Sequence, residues 1–139
     1  MIAGIHHVGY VVPDLDKAAS FFEGTLGLRA DKRVESQAMG LQIVAFRLDG
    51  NGTGIELMKP TTDTGPFAEF LKHNPNGALH HVAYRTSKPL TELVGDIKGC
   101  GLALAAPTQN GPIDAPPGWR IVNVDPAGTH GLLTQFGEQ

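Results

Sequence analysis

A five-residue motif occurs twice in this chain of 139 residues. HHVGY at residues 6–10 is repeated as HHVAY at residues 80–84, and further short matches follow in the same order, among them Gly27-Leu28 with Gly101-Leu102. Matches that keep their order along a chain are typical of a duplicated unit. Because this length suits one domain, we predict a single domain over residues 1–139, built of two similar modules at about 1–76 and 77–139.

The pattern of apolar residues predicts the same order of elements in both modules. We expect strands at 5–12, 41–48 and 54–58 in the first module, and at 79–86, 120–125 and 130–136 in the second. Asp14 is expected to cap a helix that ends at Gly27, and a second helix runs from Ser87 to Gly99. A shorter helix begins at Pro66, and Asp49–Gly52 predicts a tight turn. The proline-rich segment Ala106–Gly118 predicts an irregular loop, long enough to cover a binding site.

The composition excludes several classes of function. The formal net charge is −3, so the chain lacks the basic surplus with which proteins neutralise nucleic-acid phosphates. No apolar run approaches the ~20 residues of a membrane span, and no export signal is visible, so we expect a cytoplasmic protein. Cys100 is the one cysteine, which excludes an intrachain disulfide and metal sites built from cysteine.

Polar residues interrupt the predicted strands at matching places in the two modules. His7 and His81 occupy equivalent positions of the repeat, Glu56 interrupts an apolar strand of the first module, and Gln135 does so near the end of the second. One histidine or one glutamate in a strand is more often a packed or solvent-facing residue than a ligand. Here two imidazoles and two side-chain oxygens recur in register. We therefore predict a site for one divalent metal ion, with Co, Ni, Zn, Mn or Fe all compatible with these donors.

Four segments carry a family likeness that covers nearly the whole chain: HHVGYVVPDLDKAASFFEGTLGL, GIELMKP, FAEFLKHNPNGALHHVAYRT and RIVNVDPAGTHG. They resemble the vicinal oxygen chelate superfamily, which includes glyoxalase I, extradiol dioxygenases and bleomycin- and fosfomycin-resistance proteins. Within it the chain is most similar to the methylmalonyl-CoA epimerase family. The resemblance implies an α+β fold, with two tandem βαβββ modules related by pseudo-two-fold symmetry in a curved half-barrel sheet around a metal-binding cavity. It also implies a homodimer.

The same resemblance assigns the four metal ligands to His7, Glu56, His81 and Gln135. It also reveals a departure, because the epimerases typically carry a glutamine where this chain has Glu56 and a glutamate where it has Gln135. A further glutamate that some epimerases use as a base would align near Gln42-Ile43, where neither side chain can take a proton. Since a carboxamide cannot act as a base either, Glu56 is the catalytic base that the sequence predicts.

The predicted function is a metal-dependent isomerase, epimerase or lyase. It would remove a proton next to a carbonyl of a small oxygenated substrate, with the metal ion stabilising an enediolate. Arg120 and Trp119, at the end of the proline-rich loop, are candidates for binding the substrate. An extradiol-type iron dioxygenase using His7, His81 and Glu56 is an alternative. A resistance protein that binds a small molecule without catalysis is another.

Overall fold

The computed structural model describes residues 2–48 and 52–138. Its elements follow the chain in an alternation of strands and short helices. They are β1 (Ile2–Val11), α1 (Leu15–Ser20), β2 (Ala30–Ser36), β3 (Leu41–Arg47), β4 (Gly54–Pro60), α2 (Pro66–His73), β5 (Ala78–Thr86), α3 (Leu90–Gly99), β6 (Ile113–Ala115), β7 (Trp119–Val124) and β8 (Thr134–Glu138). Each half of the chain therefore reads βαβββ, as the resemblance implied, with α2 between the halves.

The backbone contacts divide the chain into two compact units. One unit is His7–His80, and the other joins Met1–His6 to His81–Gln139. The prediction of a single domain over 1–139 stays a prediction. No helix among the described residues is long and apolar enough to span a membrane.

The unit His7–His80 is built on a parallel pair of strands. β1 pairs in parallel with β4, and β3 and β2 follow in antiparallel order. The side chain of Asp14 caps α1 by accepting a hydrogen bond from the Lys17 amide at 2.9 Å, as predicted. Apolar side chains of α1 pack on one face of β3 and β4, in a core of Leu15, Ala19, Val44, Phe46 and Leu57. A second core on the other face contains Val11, Leu41, Ile43 and Met58, against which α2 packs.

The other unit repeats this arrangement. β5 pairs in parallel with β8, and β7 and β6 follow in antiparallel order. α3 covers one face of β7 and β8 through a core of Leu90, Leu93, Ile97, Leu104, Val122, Val124 and Phe136. At the start of α3 the backbone amide of Leu90 donates to Glu138 Oε2 at 3.1 Å, which fixes the helix to the last strand.

Several predicted boundaries were wrong. α3 begins at Leu90 rather than Ser87, because Pro89 is extended (φ −55°, ψ 141°) and lies just before the first turn. The helix expected to stop at Gly27 is α-helical to Ser20 and π-helical over Phe21–Thr25, and Gly27 follows its C-cap with φ 70°, so this stop was predicted correctly. β8 begins at Thr134, since His130 has the left-handed backbone angle φ 57° that a strand does not use.

Two strands were missed. β2 carries mostly charged and exposed side chains, and β6 lies inside the segment Ala106–Gly118 that was expected to be irregular. β6 forms because Ile113–Ala115 pairs with β7 along its open edge. The turn predicted at Asp49–Gly52 falls mostly on residues outside the described part of the chain.

Gly77 gives a direct test of the packing between β1 and the turn that precedes β5. Its φ is +83°, and an added Cβ would lie 2.8 Å from the carbonyl oxygen of Val11. We expect Gly77→Ala to lower the free energy of unfolding by about 2–4 kcal/mol, measured by urea denaturation. Gly95→Ala is the control. Gly95 lies within α3 with no atom within 4 Å of an added Cβ, so alanine should raise stability by about 0.5–1 kcal/mol. Equal effects of the two substitutions would contradict this account.

Candidate metal centre

His7 and Glu56 form a buried pair on neighbouring parallel strands. In the β1–β4 register Gly9 lies opposite Glu56, so His7, two residues before Gly9, shares the face of the sheet to which Glu56 points. Leu57 points to the opposite face, where it packs against α1. His7 Nε2 lies 3.2 Å from Glu56 Oε2, and the two residues are 1% and 4% exposed.

One oxygen of this pair has an unusual environment. Glu56 Oε1 is buried, and no residue of the described ranges gives it a hydrogen bond. A buried carboxylate oxygen without a partner is costly, and proteins normally satisfy such an atom with a donor or a cation. Glu56 therefore has one oxygen directed at His7 and a second that is available to a ligand.

The spacing of the His7–Glu56 pair is that of two ligands of one metal ion. His81, the third predicted ligand, belongs to the other unit and is also buried, at 6% exposed. Two donors bound at ~2.1 Å to one ion and at roughly right angles lie ~3 Å apart. The separation of His7 Nε2 and Glu56 Oε2 matches that spacing. The donor types, the burial and this spacing together fit a divalent metal ion.

Gln135 shares a face with His81 in the other unit. Ala83 lies opposite Gln135 in the β5–β8 register, and His81 is two residues before Ala83. The Gln135 side chain is 6% exposed, and its Nε2 donates to Asn123 Oδ1 at 3.0 Å. Of the four predicted ligands, each unit thus contributes one histidine from its first strand and one oxygen donor from its last strand.

The first histidine of each HH pair has a different environment. The His6 ring packs edge-on against Trp119, with ring centroids 4.5 Å apart. The His80 ring lies between Phe67 and Phe70, at centroid distances of 4.9 and 4.8 Å. Burial against these rings lowers the pKa of His80 to about 4, so this imidazole is neutral at neutral pH. In the first pair it is the second histidine, His7, that approaches Glu56.

The two residues predicted to bind substrate lie on opposite faces of β7. Trp119 shares the face of Asn123, which lies opposite Gln135 in the β7–β8 register. Arg120 points the other way, and its guanidinium lies 3.5 Å from Asp114 and 3.8 Å from Glu138. The structure therefore places Arg120 among acidic side chains on the helix-covered face, where it ties β6 and β8 to β7.

β3 provides no second carboxylate beside Glu56. Ala45 lies opposite Glu56 in the register, and Ile43 follows on the same face, buried in the core with Met58. Gln42 points to the other face and donates to Glu35 at 3.2 Å. β3 therefore contributes no carboxylate that could act as a base beside Glu56.

Asn123 is the site residue that sequence reasoning missed. It is 6% exposed, lies in the middle of β7 and contacts Gln135 directly. A buried asparagine within a predicted strand that otherwise reads as apolar was the available signal. Its partner becomes evident only when the strand register is known.

Comparisons with known proteins agree with this architecture. A model of the Glyoxalase/Bleomycin resistance protein/Dioxygenase superfamily matches residues 6–122. Ethylmalonyl-CoA/methylmalonyl-CoA epimerase of Cereibacter sphaeroides is 36% identical over 84 residues, covering 60% of this chain and 61% of the relative. Human mitochondrial methylmalonyl-CoA epimerase is 35% identical over 94 residues, covering 68% and 52%. The chain thus matches about half to three fifths of the length of these relatives.

A solved structure shows the same fold. It is methylmalonyl-CoA epimerase from Streptomyces coelicolor, as a variant in complex with 2-nitronate-propionyl-CoA. It superposes with a TM-score of 0.86 at 23% identity, covering 99% of this chain and 97% of that one. The α+β class and the half-barrel sheet implied by the resemblance are confirmed by such matches. The chain belongs to the Glyoxalase/Bleomycin resistance protein/Dioxygenase superfamily.

Proposed function

We propose that this chain is a divalent-metal-dependent epimerase of the glyoxalase-like superfamily. The reaction is removal and return of a proton on the carbon next to a thioester carbonyl. The observation that carries the proposal is the buried His7–Glu56 pair, with one carboxylate oxygen unsatisfied. The epimerase names of the relatives support the same reaction class.

His7, Glu56, His81 and Gln135 are the proposed metal ligands. This set supplies two neutral imidazoles, one carboxylate and one carboxamide, a mixture that suits Co, Ni, Zn, Mn or Fe. When bound, the ion supplies a Lewis acid that polarises the substrate carbonyl and stabilises the negative charge that develops on its oxygen.

Glu56 is the proposed catalytic base, acting through Oε1. Oε2 is directed at His7, whereas Oε1 accepts no hydrogen bond from the described residues and can therefore take the substrate proton. Gln135 cannot serve, because a carboxamide has no basic lone pair at neutral pH. Ile43 and Ala45 share the face of Glu56 and offer no competing polar side chain.

The proposed substrate is a small branched acyl thioester such as methylmalonyl-CoA. Its acidic methine carries both a thioester carbonyl and a carboxylate, so adjacent oxygens are available to a metal ion. Trp119 lies on the face shared by His81 and Gln135 and is proposed to form an apolar wall for the acyl group. We also propose a homodimer, by analogy with the family, and a cytoplasmic location, from the composition of the sequence.

Exchange of the methine proton tests the proposal without relying on a coupled enzyme. The protein is stripped of metal, loaded separately with each of the five ions, and incubated with methylmalonyl-CoA in deuterated water. We expect deuterium at the methine, detected by mass spectrometry and proton NMR, with at least one ion and none with the metal-free protein. Absence of exchange with all five ions would overturn the proposed reaction.

A dioxygenase remains the second candidate because His7, His81 and Glu56 are a two-histidine, one-carboxylate set. Such sets bind non-haem iron with open positions for oxygen. Oxygen uptake by the iron-loaded protein with a catechol, in the absence of methine exchange, would favour this candidate. If the protein catalyses neither reaction with any of the metals, the alternative of a small-molecule-binding protein without catalysis is favoured.

A further inference from the structure

Asn123 sits between the proposed ligand Gln135 and the proline-rich segment that precedes β6. Its Oδ1 accepts the hydrogen bond from Gln135 Nε2 at 3.0 Å, and its Nδ2 faces the carbonyl oxygen of Ala106 at 3.5 Å. Asn123 and Gln135 are each 6% exposed. The oxygen of the Asn123 amide therefore faces a donor, and its nitrogen faces an acceptor.

The chain of hydrogen bonds from the Ala106 carbonyl through the Asn123 amide to the Gln135 amide fixes which end of each amide faces which partner. A backbone carbonyl can only accept, so Ala106 fixes the Nδ2 end of Asn123 toward itself. Oδ1 of Asn123 then faces Gln135, and it can only accept, so Gln135 must present Nε2 to it. Oε1 of Gln135 is then the end of the amide that is directed away from Asn123.

The backbone around Asn123 is held independently of its side chain. The Asn123 amide donates to Thr108 Oγ1 at 2.7 Å, the Ala105 amide donates to the Asn123 carbonyl at 2.9 Å, and Thr108 is fully buried. Thr108 Oγ1 also donates to the carbonyl of Ala105 at 2.9 Å. The segment before β6 is thereby anchored to the backbone of β7 by bonds that do not involve the Asn123 side chain.

We propose that Asn123 is a positioning residue that selects which end of the Gln135 amide faces the metal centre. This inference rests on the proposed function, in which Gln135 Oε1 is a ligand. Without an acceptor at Asn123, the Gln135 amide can turn and present its NH₂ group, which binds no cation. A glutamine in place of the glutamate that the epimerases typically carry therefore acts as an oxygen donor because Asn123 Oδ1 holds its nitrogen.

Cobalt binding by the metal-free protein provides a readout independent of activity. Co²⁺ is titrated into each variant by calorimetry and by the visible absorption of the bound ion. Asn123→Leu removes the acceptor, and we expect the Kd for Co²⁺ to rise about 10- to 100-fold, the usual effect of losing a partner of a metal ligand. Asn123→Asp keeps an acceptor facing Gln135, and its Kd should stay within about threefold of the wild type.

Two further comparisons separate positioning from stability. Thr108→Val removes a backbone anchor but leaves both amides in place, so it should lower the thermal midpoint with little change in Kd. In a Gln135→Ala background, Asn123→Leu should have no further effect on Kd, because the amide that it positions is gone. If Asn123→Leu does not fold, Asn123→Ser serves instead, since its hydroxyl is too short to reach Gln135 Nε2.

The outcomes distinguish this inference from the proposed function. If the wild type binds no Co²⁺, the metal centre itself is wrong, and the positioning role falls with it. If the wild type binds Co²⁺ but Asn123→Leu binds equally well, only the positioning role is wrong. The positioning role would also be wrong if Asn123→Leu lowered Co²⁺ affinity as much in the Gln135→Ala background as in the wild type. The same holds if Thr108→Val lowered Co²⁺ affinity as much as Asn123→Leu does.

Discussion

Glu56→Gln is expected to lower the rate of methine exchange by about a hundred- to ten-thousandfold, the usual contribution of a general base. The substitution preserves the shape of the side chain and one oxygen donor, but the carboxamide cannot take a proton. The same buried position would also lose the negative charge beside His7. We therefore expect a smaller loss in metal affinity than in rate. The measurement is deuterium incorporation at saturating metal, together with a Co²⁺ titration of the same protein.

Glu92→Gln is the matched control for this substitution. Glu92 is exposed on α3, so the same chemical change there should leave exchange and metal affinity unaltered. Exchange by Glu56→Gln at more than about a tenth of the wild-type rate would show that another group removes the proton. The assignment of Glu56 as base would then fail, although the metal centre could stand.

His81→Ala is expected to abolish metal retention. The wild type, purified without a histidine tag, should carry about one divalent ion per chain, and the variant should carry less than about a tenth of that. Loss of a residue that hydrogen-bonds to a metal ligand lowers metal affinity about 10- to 100-fold. His81→Ala should lower it further, because it removes a proposed ligand itself. The His7–Glu56 pair remains in this variant, so its fold should be retained. Metal content is measured by plasma mass spectrometry after dialysis.

His73→Ala controls for nonspecific binding by a surface imidazole. His73 is exposed at the end of α2, where its Nδ1 lies 2.8 Å from the carbonyl oxygen of Glu69. Its removal should leave both metal content and the thermal shift produced by added metal unchanged. An equal loss of metal in the two variants, or full occupancy in His81→Ala, would argue against the centre. The identity of the retained ion would also separate iron chemistry from proton transfer assisted by another metal.

The α+β fold and the placing of Glu56 beside His7 could be predicted from the sequence because the chain repeats itself. A repeat needs no knowledge of tertiary structure to be seen, and strand alternation then sorts the residues by face. His7, His81 and Glu56 follow from those two rules. β2 could not be found this way, since ADKRVES has neither apolar alternation nor strong turn signals, and its strand state depends on pairing with β3.

The two candidate residues for substrate binding show what sequence reasoning cannot decide. Trp119 and Arg120 are adjacent, so they were grouped together, but neighbours on a strand point to opposite faces. Deciding which of them faces the site required the β7–β8 register. Asn123 was missed for the same reason, because its importance lies in a partner that is distant along the chain.

The parallel pairing of β1 with β4, and of β5 with β8, has a kinetic consequence. In each pair the first strand carries a histidine and the second carries an oxygen donor, and a helix and two further strands separate them along the chain. Contacts between such distant segments form late, because the loop between them must close first. We therefore expect metal affinity to develop only near the end of refolding, so that a captured ion marks a chain whose most slowly formed pairings are complete.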